Sequence, residues 1–293
     1  MSKPTTRRHH LQSLSALAAA CALPGQALAQ APAWPAKPVK FVVPLTAGSG
    51  ADIVARALAK RLQDTWSHGV VIENRPGAGG QIGTQAVVNA PADGYTLLVQ
   101  SASHAANPAI YKQLPYDATR DLIDVALLAT SPYVMVTAST GPYASVRALI
   151  DAAKAKPGEL AYASAGIGSS THLTAELFVQ RAGLKMVHVP FKGSPDAVTD
   201  VASGRTAFYM APVSTVAGML REGRIKPIAL TADKRSTNLP EVPTLAESGL
   251  ANFQAALWFG LWAPAATQMC IRDRCWTAVP QPCGAVVRAG RRL

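Results

Sequence analysis

Val39-Lys40-Phe41-Val42-Val43-Pro44-Leu45-Thr46-Ala47-Gly48-Ser49-Gly50-Ala51-Asp52-Ile53-Val54 reads as a buried strand, a glycine-rich break and the start of a helix. The apolar run at 39–43 has strand length and follows the proline-rich leader Ala31–Pro38. Ile53, Val54, Ala57, Leu58 and Leu62 then recur at helical spacing as far as Thr65. Val70-Val71-Ile72 is the next strand, closed by Arg75-Pro76-Gly77-Ala78-Gly79-Gly80, and a helix follows through Ala90. Asp93-Gly94 turns the chain into a third strand, Tyr95–Val99. This βαβαβ order predicts an α/β fold, with a parallel sheet covered by helices on both faces.

The same alternation returns downstream. Val125–Leu128 and Tyr133–Thr137 read as two strands around Ser131-Pro132. Ser145 caps a helix that runs to Ala155 and stops at Pro157-Gly158. Strands at Leu160–Ala163, Met186–Val189, Ala207–Met210 and Lys226–Thr231 are separated by helices over 169–182, 195–203 and 213–221. Two α/β halves in one chain predict two lobes with a cleft between them.

The ends differ from this body. Lys3, Arg7 and Arg8 precede the apolar stretch Leu11–Leu23, and Ala27-Leu28-Ala29 offers a small-residue cleavage site. That stretch is shorter than the roughly 20 residues of a spanning helix, so residues 1–29 read as an export signal. Thr6–Gln12 also resembles a twin-arginine signal, with His10 at the usual phenylalanine position, and Cys21 reads as a cysteine of the discarded leader. From Gln268 no apolar period is visible, and three of the four cysteines (270, 275 and 283) fall there. The segment 268–293 is therefore expected to stand outside the native fold. Of the formal net charge of +11, residues 1–29 carry +3 and residues 268–293 carry +4, which leaves +4 on the body. The body has no basic stripe with interleaved aromatics, so nucleic-acid binding is not expected. It also has no cysteine, and at 238 residues it can bury a core without disulfides.

Four loops share one design, in which a strand ends, glycine, serine or threonine follows, and a helix begins. They are Thr46–Gly50, Gly77–Gly80, Ser164–Thr171 and Phe191-Lys192-Gly193-Ser194. A helix start leaves backbone N–H groups unpaired at the positive end of the macrodipole, which favours an anion. Each hydrogen bond to a charged group contributes ~1.5–3 kcal/mol net. Three or four donors closing on a carboxylate would thus supply roughly 6–8 kcal/mol, near the ~8 kcal/mol of a micromolar complex. No metal, cofactor or catalytic base is required.

These loops occur in characteristic strings. Glu73-Asn74-Arg75-Pro76-Gly77-Ala78-Gly79-Gly80-Gln81-Ile82-Gly83, Asp93-Gly94-Tyr95-Thr96-Leu97-Leu98, Tyr162-Ala163-Ser164, His188-Val189-Pro190-Phe191-Lys192-Gly193 and Pro240-Glu241-Val242-Pro243-Thr244 stand in order along the chain. Over about residues 34–267 the set resembles the substrate-binding proteins of tripartite tricarboxylate transporters, the Bug family. The resemblance implies a type II periplasmic-binding-protein fold, α/β, with two lobes joined by two crossing segments. Residues 33–130 and 233–267 would form lobe I, and 131–232 lobe II. It implies a periplasmic receptor, monomeric and non-enzymatic, that hands a small carboxylate to integral membrane transporter subunits. It also implies further C-terminal helices after Ala265, which the text from Gln268 does not match. Where the family often carries Asp the chain has Ala207, and near Ala211 a polar residue is usual. The lobe II pocket is therefore expected to be apolar, suited to an aromatic or aliphatic acid.

The expected ligand-binding residues are Thr46, Gly48, Ser49, Gly50, Gly79 and Gly80 from lobe I loops, and Gly168, Ser169, Ser170, His172, Lys192 and Gly193 from lobe II. Ser101, Ser103 and His104 follow the third strand and are expected to face the cleft. His104 is either a donor to the acid or a solvent-facing loop histidine. Asp52 reads as a helix-start residue, since a carboxylate there would repel an anion. Lys192 either steers the anion or is a solvated surface lysine, and Trp258 and Phe259 read as core. An enzyme that cradles phosphate is disfavoured, because no G-x-G-x-x-G and no Walker lysine occur in register. A G-x-S-x-G nucleophile turn is missing, and the body has no H-x-x-x-H pair for a metal. A ligand-sensing receptor facing a membrane signalling partner is the alternative to a transport role. Closure is expected about segments near 129–133 and 254–262.

Overall fold

The computed structural model describes residues 34–278, and their side chains up to residue 274. The expected leader, its Arg7-Arg8 pair and Cys21 lie outside the described residues. In chain order the strands are β1 (Val39–Val43), β2 (Val70–Asn74), β3 (Thr96–Ser101), β4 (Leu122–Ala138), β5 (Ala161–Ser164), β6 (Val187–Pro190), β7 (Phe208–Pro212), β8 (Ile225–Leu230) and β9 (Ala256–Pro264). The helices are α1 (Gly50–Leu62), α2 (Gln81–Val88), α3 (Ser103–Ile110), α4 (Val146–Ala155), α5 (Ser170–Arg181), α6 (Ser194–Ala202), α7 (Val213–Arg221) and α8 (Met269–Ala278).

The strands join in the order β2-β1-β3-β9-β4-β7-β5-β6, with β8 on β4. Among these strands β2-β1-β3 and β6-β5-β7 run parallel, whereas β9, β4 and β8 pair antiparallel with their neighbours. The sheet is mixed, which corrects the expectation of a parallel one. The two strands expected around Ser131-Pro132 are also one, the 17-residue β4. Its first part, to Pro132, pairs with β9, and from Tyr133 it pairs with β7 and β8. A proline cannot donate to a ladder, and Pro132 stands where β4 exchanges one set of partners for another, so its missing N–H is tolerated there.

Each lobe has its own apolar filling. Phe41, Leu97 and Leu98 are fully buried in lobe I, and each such side chain contributes roughly 1.5–3 kcal/mol by burial. Lobe II packs Met135, Leu149, Tyr162, Phe178 and Phe208 on one side of its sheet and Val134, Val201, Tyr209 and Leu230 on the other. A second thread returns between the lobes beside β4. The Tyr133 amide donates to Thr231 Oγ1 (2.9 Å), and that hydroxyl donates to the Ala255 carbonyl (2.6 Å) just before β9. Past Thr267, Met269–Ala278 is helical. No helix among the described residues is long and apolar enough to cross a membrane.

Candidate ligand-binding site

All four glycine-rich loops meet at the junction of the lobes. Gly193 lies against Thr46 so closely that a Cβ on it would overlap the threonine hydroxyl. A Cβ on Gly48 would lie 3.3 Å from Pro195 Cγ, in the first turn of α6. Gly79 has φ +62, and a side chain there would come within 2.7 Å of the Ile167 carbonyl. Tyr111, which follows α3 in lobe I, donates its hydroxyl to that same carbonyl (2.9 Å). Between these contacts lies a cavity of about 600 Å³, a size typical of small-molecule sites.

The walls come from both lobes. Leu45, Pro76–Gly80 and Tyr111 form one side, and Ala165–Ile167 and Pro190–Lys192 the other. Among the lining residues the one charged side chain is the exposed Lys192. Two donors stand beside the lobe I wall without partners among the described residues. One is the Thr46 hydroxyl, and the other is Nε2 of the fully buried Gln100, which packs on Gly80.

Of the expected residues, Gly79, Gly80 and Lys192 line the cavity. Thr46, Gly48, Gly168 and Gly193 make the contacts between lobes described above or, for Gly168, press against the Tyr111 ring. Gly50 is buried against Phe259 and Pro212. Ser49 and Ser169 are helix caps, their hydroxyls accepting from the Asp52 and His172 amides (3.4 and 3.2 Å). Ser170 is buried at the first residue of α5, facing the Tyr133 hydroxyl. Burial lifts that phenol to about 12.

The group after β3 corrects the sequence reading. Ser103 opens a helix, and Ser101 and Ser103 bond to each other (Oγ···Oγ 3.0 Å) while almost wholly buried. His104 is neither a cleft donor nor a solvent-facing loop residue. Its ring sits 4.7 Å from that of Trp262 and stacks at 6.5 Å on Tyr116. Burial holds its pKa below the usual histidine value. Ala207 and Ala211 belong to the two lobe II cores and do not line the cavity. The apolar walls come instead from Leu45, Pro76, Ala78, Ile167 and Phe191. Sequence reasoning missed Gln100 and Tyr111, which lie outside the glycine-rich loops and carry no local signal.

Several loop amides are already occupied. Asp52 Oδ2 accepts from the Gly48 amide and from Arg56 Nε (both 2.9 Å), and Oδ1 accepts from Asn74 Nδ2 (2.9 Å). Burial pushes the Asp52 carboxyl up, but Arg56, the Gly48 amide and Asn74 together outweigh it and leave it below the usual range. In lobe II, Ser164 Oγ accepts from Gly166 N (3.1 Å), and His172 Nδ1 accepts from Gly168 N (3.3 Å). Among the described residues, no hydrogen bond occupies the Gly79, Ile167 or Ser170 amides.

A sheet of two α/β halves sharing one long strand, with a cleft walled by loops of both, is the architecture of a two-lobed binding protein. Solved periplasmic binding proteins share it. The R. palustris protein Rpa4515 with adipate is 36% identical, covers 84% of this chain and 83% of its own, and superposes with a TM-score of 0.81. MatC from Rhodopseudomonas palustris with bound malate is 30% identical over 84% of both chains, with a TM-score of 0.80. Protein BugT of Bordetella pertussis is 40% identical over 80% of this chain and 72% of its own length. The tripartite tricarboxylate transporter family receptor model matches residues 54–283. The chain belongs to that family of periplasmic binding receptors. That match runs past Thr267, to residue 283.

Proposed function

We propose that this protein captures a small carboxylate between its lobes and presents it to integral membrane transporter subunits, working in the periplasm after its leader is removed. The observation that carries the reading is the donor character of the site. Among the described residues one lysine and no acid line the cavity, and Gln100 Nε2 and the Thr46 hydroxyl lack partners beside it. Buried donors without acceptors cost about 1–3 kcal/mol each, a cost that an anion would remove. The apolar remainder of the walls suits the carbon body of an acid rather than a second dense array of charges. Adipate and malate are the acids found with two relatives of this chain.

The test is a thermal-shift and calorimetry panel of adipate, malate, citrate and benzoate, with adipamide as the uncharged control. At least one acid is expected to raise the melting temperature while adipamide does not. Equal shifts from the diamide, or none from any acid, would reject carboxylate capture.

A further inference from the structure

His172 stands in a column of rings that the cavity does not touch. It stacks on His188 at 4.0 Å and 22°, His188 stacks on Tyr162 at 5.1 Å, and Tyr162 on Phe208 at 5.4 Å. Both imidazoles are tied to the loop that forms the lobe II wall. His172 Nδ1 accepts the Gly168 amide, and His188 Nε2 lies 2.6 Å from Ser164 Oγ, which accepts the Gly166 amide. The residue between these two anchored glycines is Ile167, whose carbonyl holds Tyr111 and whose side chain lines the cavity.

We propose that His172 is a positioning residue, not a ligand contact, and that taking up a proton at its Nδ1 releases the Gly168 amide and loosens the lobe II wall. This rests on the reading of the cleft as the carboxylate site. The chemistry is a change of sign at one atom. In the neutral ring Nδ1 is an acceptor and Nε2 carries the hydrogen, with Glu176 Oε1 3.8 Å from that nitrogen. A proton on Nδ1 sets one donor against another, because a backbone N–H cannot rotate away. At His188 the facing group is a hydroxyl, which can turn, so that contact survives. The titratable groups facing His172 are Glu176 on its own helix, His188 on β6 and, through its hydroxyl bond to Glu176, Tyr162 on β5. Burial lowers the His172 pKa, with Glu176 opposing. Burial, and then His172, hold His188 at about 4. Of the two rings His172 is the one with a carboxylate beside it, Glu176 Oε1 at 3.8 Å from Nε2, which favours a proton there as pH falls below the ordinary histidine range.

The experiment compares the full chain with His172→Asn, whose Oδ1 stands near the place of Nδ1 and accepts without titrating. Adipate affinity is measured by calorimetry at about pH 7.5 and about pH 5.5, and both proteins experience the same protonation of adipate. The wild type is expected to lose about tenfold more affinity than the variant, as befits one lost hydrogen bond with its knock-on in the wall. Matching pH profiles would overturn the proposal. A ligand-free arm follows the Gly168 amide and the imidazole resonances by NMR. The amide is expected to shift with the His172 titration in the wild type and to stay fixed in His172→Asn. An amide indifferent to that titration would overturn the proposal even where adipate binds. Failure of adipate to bind at either pH would leave the carboxylate reading to the full acid panel and this proposal to the NMR arm, which decides it without ligand.

Discussion

The two halves of the cleft hold their loops by different chemistry. In lobe I, one buried carboxylate gathers the Gly48 amide, the Arg56 guanidinium and the Asn74 amide, and Asn74 also reaches the Leu45 carbonyl (3.0 Å). In lobe II, neutral imidazoles and hydroxyls gather the Gly166 and Gly168 amides. A charge-assisted network built on a depressed acid keeps its form until the pH falls through the folded pKa of Asp52, below the ordinary carboxylate value of 3.8. A network built on neutral histidine changes as the pH falls through the folded pKa of His172, which burial holds below the ordinary histidine value of 6.5. The lesson is that one cleft can have a stiff wall and a proton-responsive wall, although both are glycine-rich turns before helices.

The largest change comes from removing the meeting of the two walls. Gly193→Val places a side chain where Thr46 already sits. Gly193 has φ −177, an extended backbone that valine adopts freely, so lobe II should fold normally. Overpacking of this kind costs roughly 1–3 kcal/mol, here charged against closure, so ligand affinity should fall about ten- to a hundredfold. Calorimetry gives the affinity, and an unchanged melting temperature separates blocked closure from misfolding. Full affinity in this variant would mean that the lobes need not meet there.

Next in size is the lobe I anchor. Asp52→Asn keeps the shape but removes the charge that Arg56 and Gly48 bond to, at a cost of about 1–3 kcal/mol in stability. For a chain of this size that corresponds to roughly 2–4 °C per kcal/mol of melting temperature. The folded pKa of Asp52 is depressed, so its contribution is complete above the unfolded value of about 3.9 and is lost as pH falls through the folded one. Wild type and variant should therefore differ most near neutral pH and converge at strong acid. A constant gap down to pH 2 would show that the carboxylate is not the source.

Much of this scaffold was legible before any coordinates. Strand and helix alternation, the Ser145 cap and the role of Asp52 as a helix-start residue follow from local chemistry. The antiparallel insertion of β9 between β3 and β4 was not legible, because pairing across the chain leaves no local mark. Helix α3 was hidden because Ser103-His104-Ala105-Ala106-Asn107-Pro108 has no apolar period, and with it went the burial of His104. For the site, the loops could be read but not which amides they offer. Gly48 and Gly168 look like free donors in sequence, yet each is taken by a side chain four residues on. The acceptor in each case depends on a rotamer that spacing alone does not specify.

The smallest effect tests the bond that joins the stiff wall to the responsive one. Tyr111 Oη reaches the Ile167 carbonyl at 2.9 Å from the lobe I side, while its ring lines the cavity. Tyr111→Phe keeps the ring and removes only that bond, which is worth about 0.5–1.5 kcal/mol. The bond exists when the lobes meet, so its loss should appear as faster ligand release, about two- to tenfold in koff, with little change in kon. Stopped-flow displacement measures both. If His172 sets the position of Ile167, the effect should shrink at acid pH, where the carbonyl no longer stands in reach of the phenol. An undiminished effect of Tyr111→Phe at about pH 5.5 would place the Tyr111 contact outside the histidine-controlled segment, so that the bond joining the two walls would be as indifferent to protons in this range as lobe I.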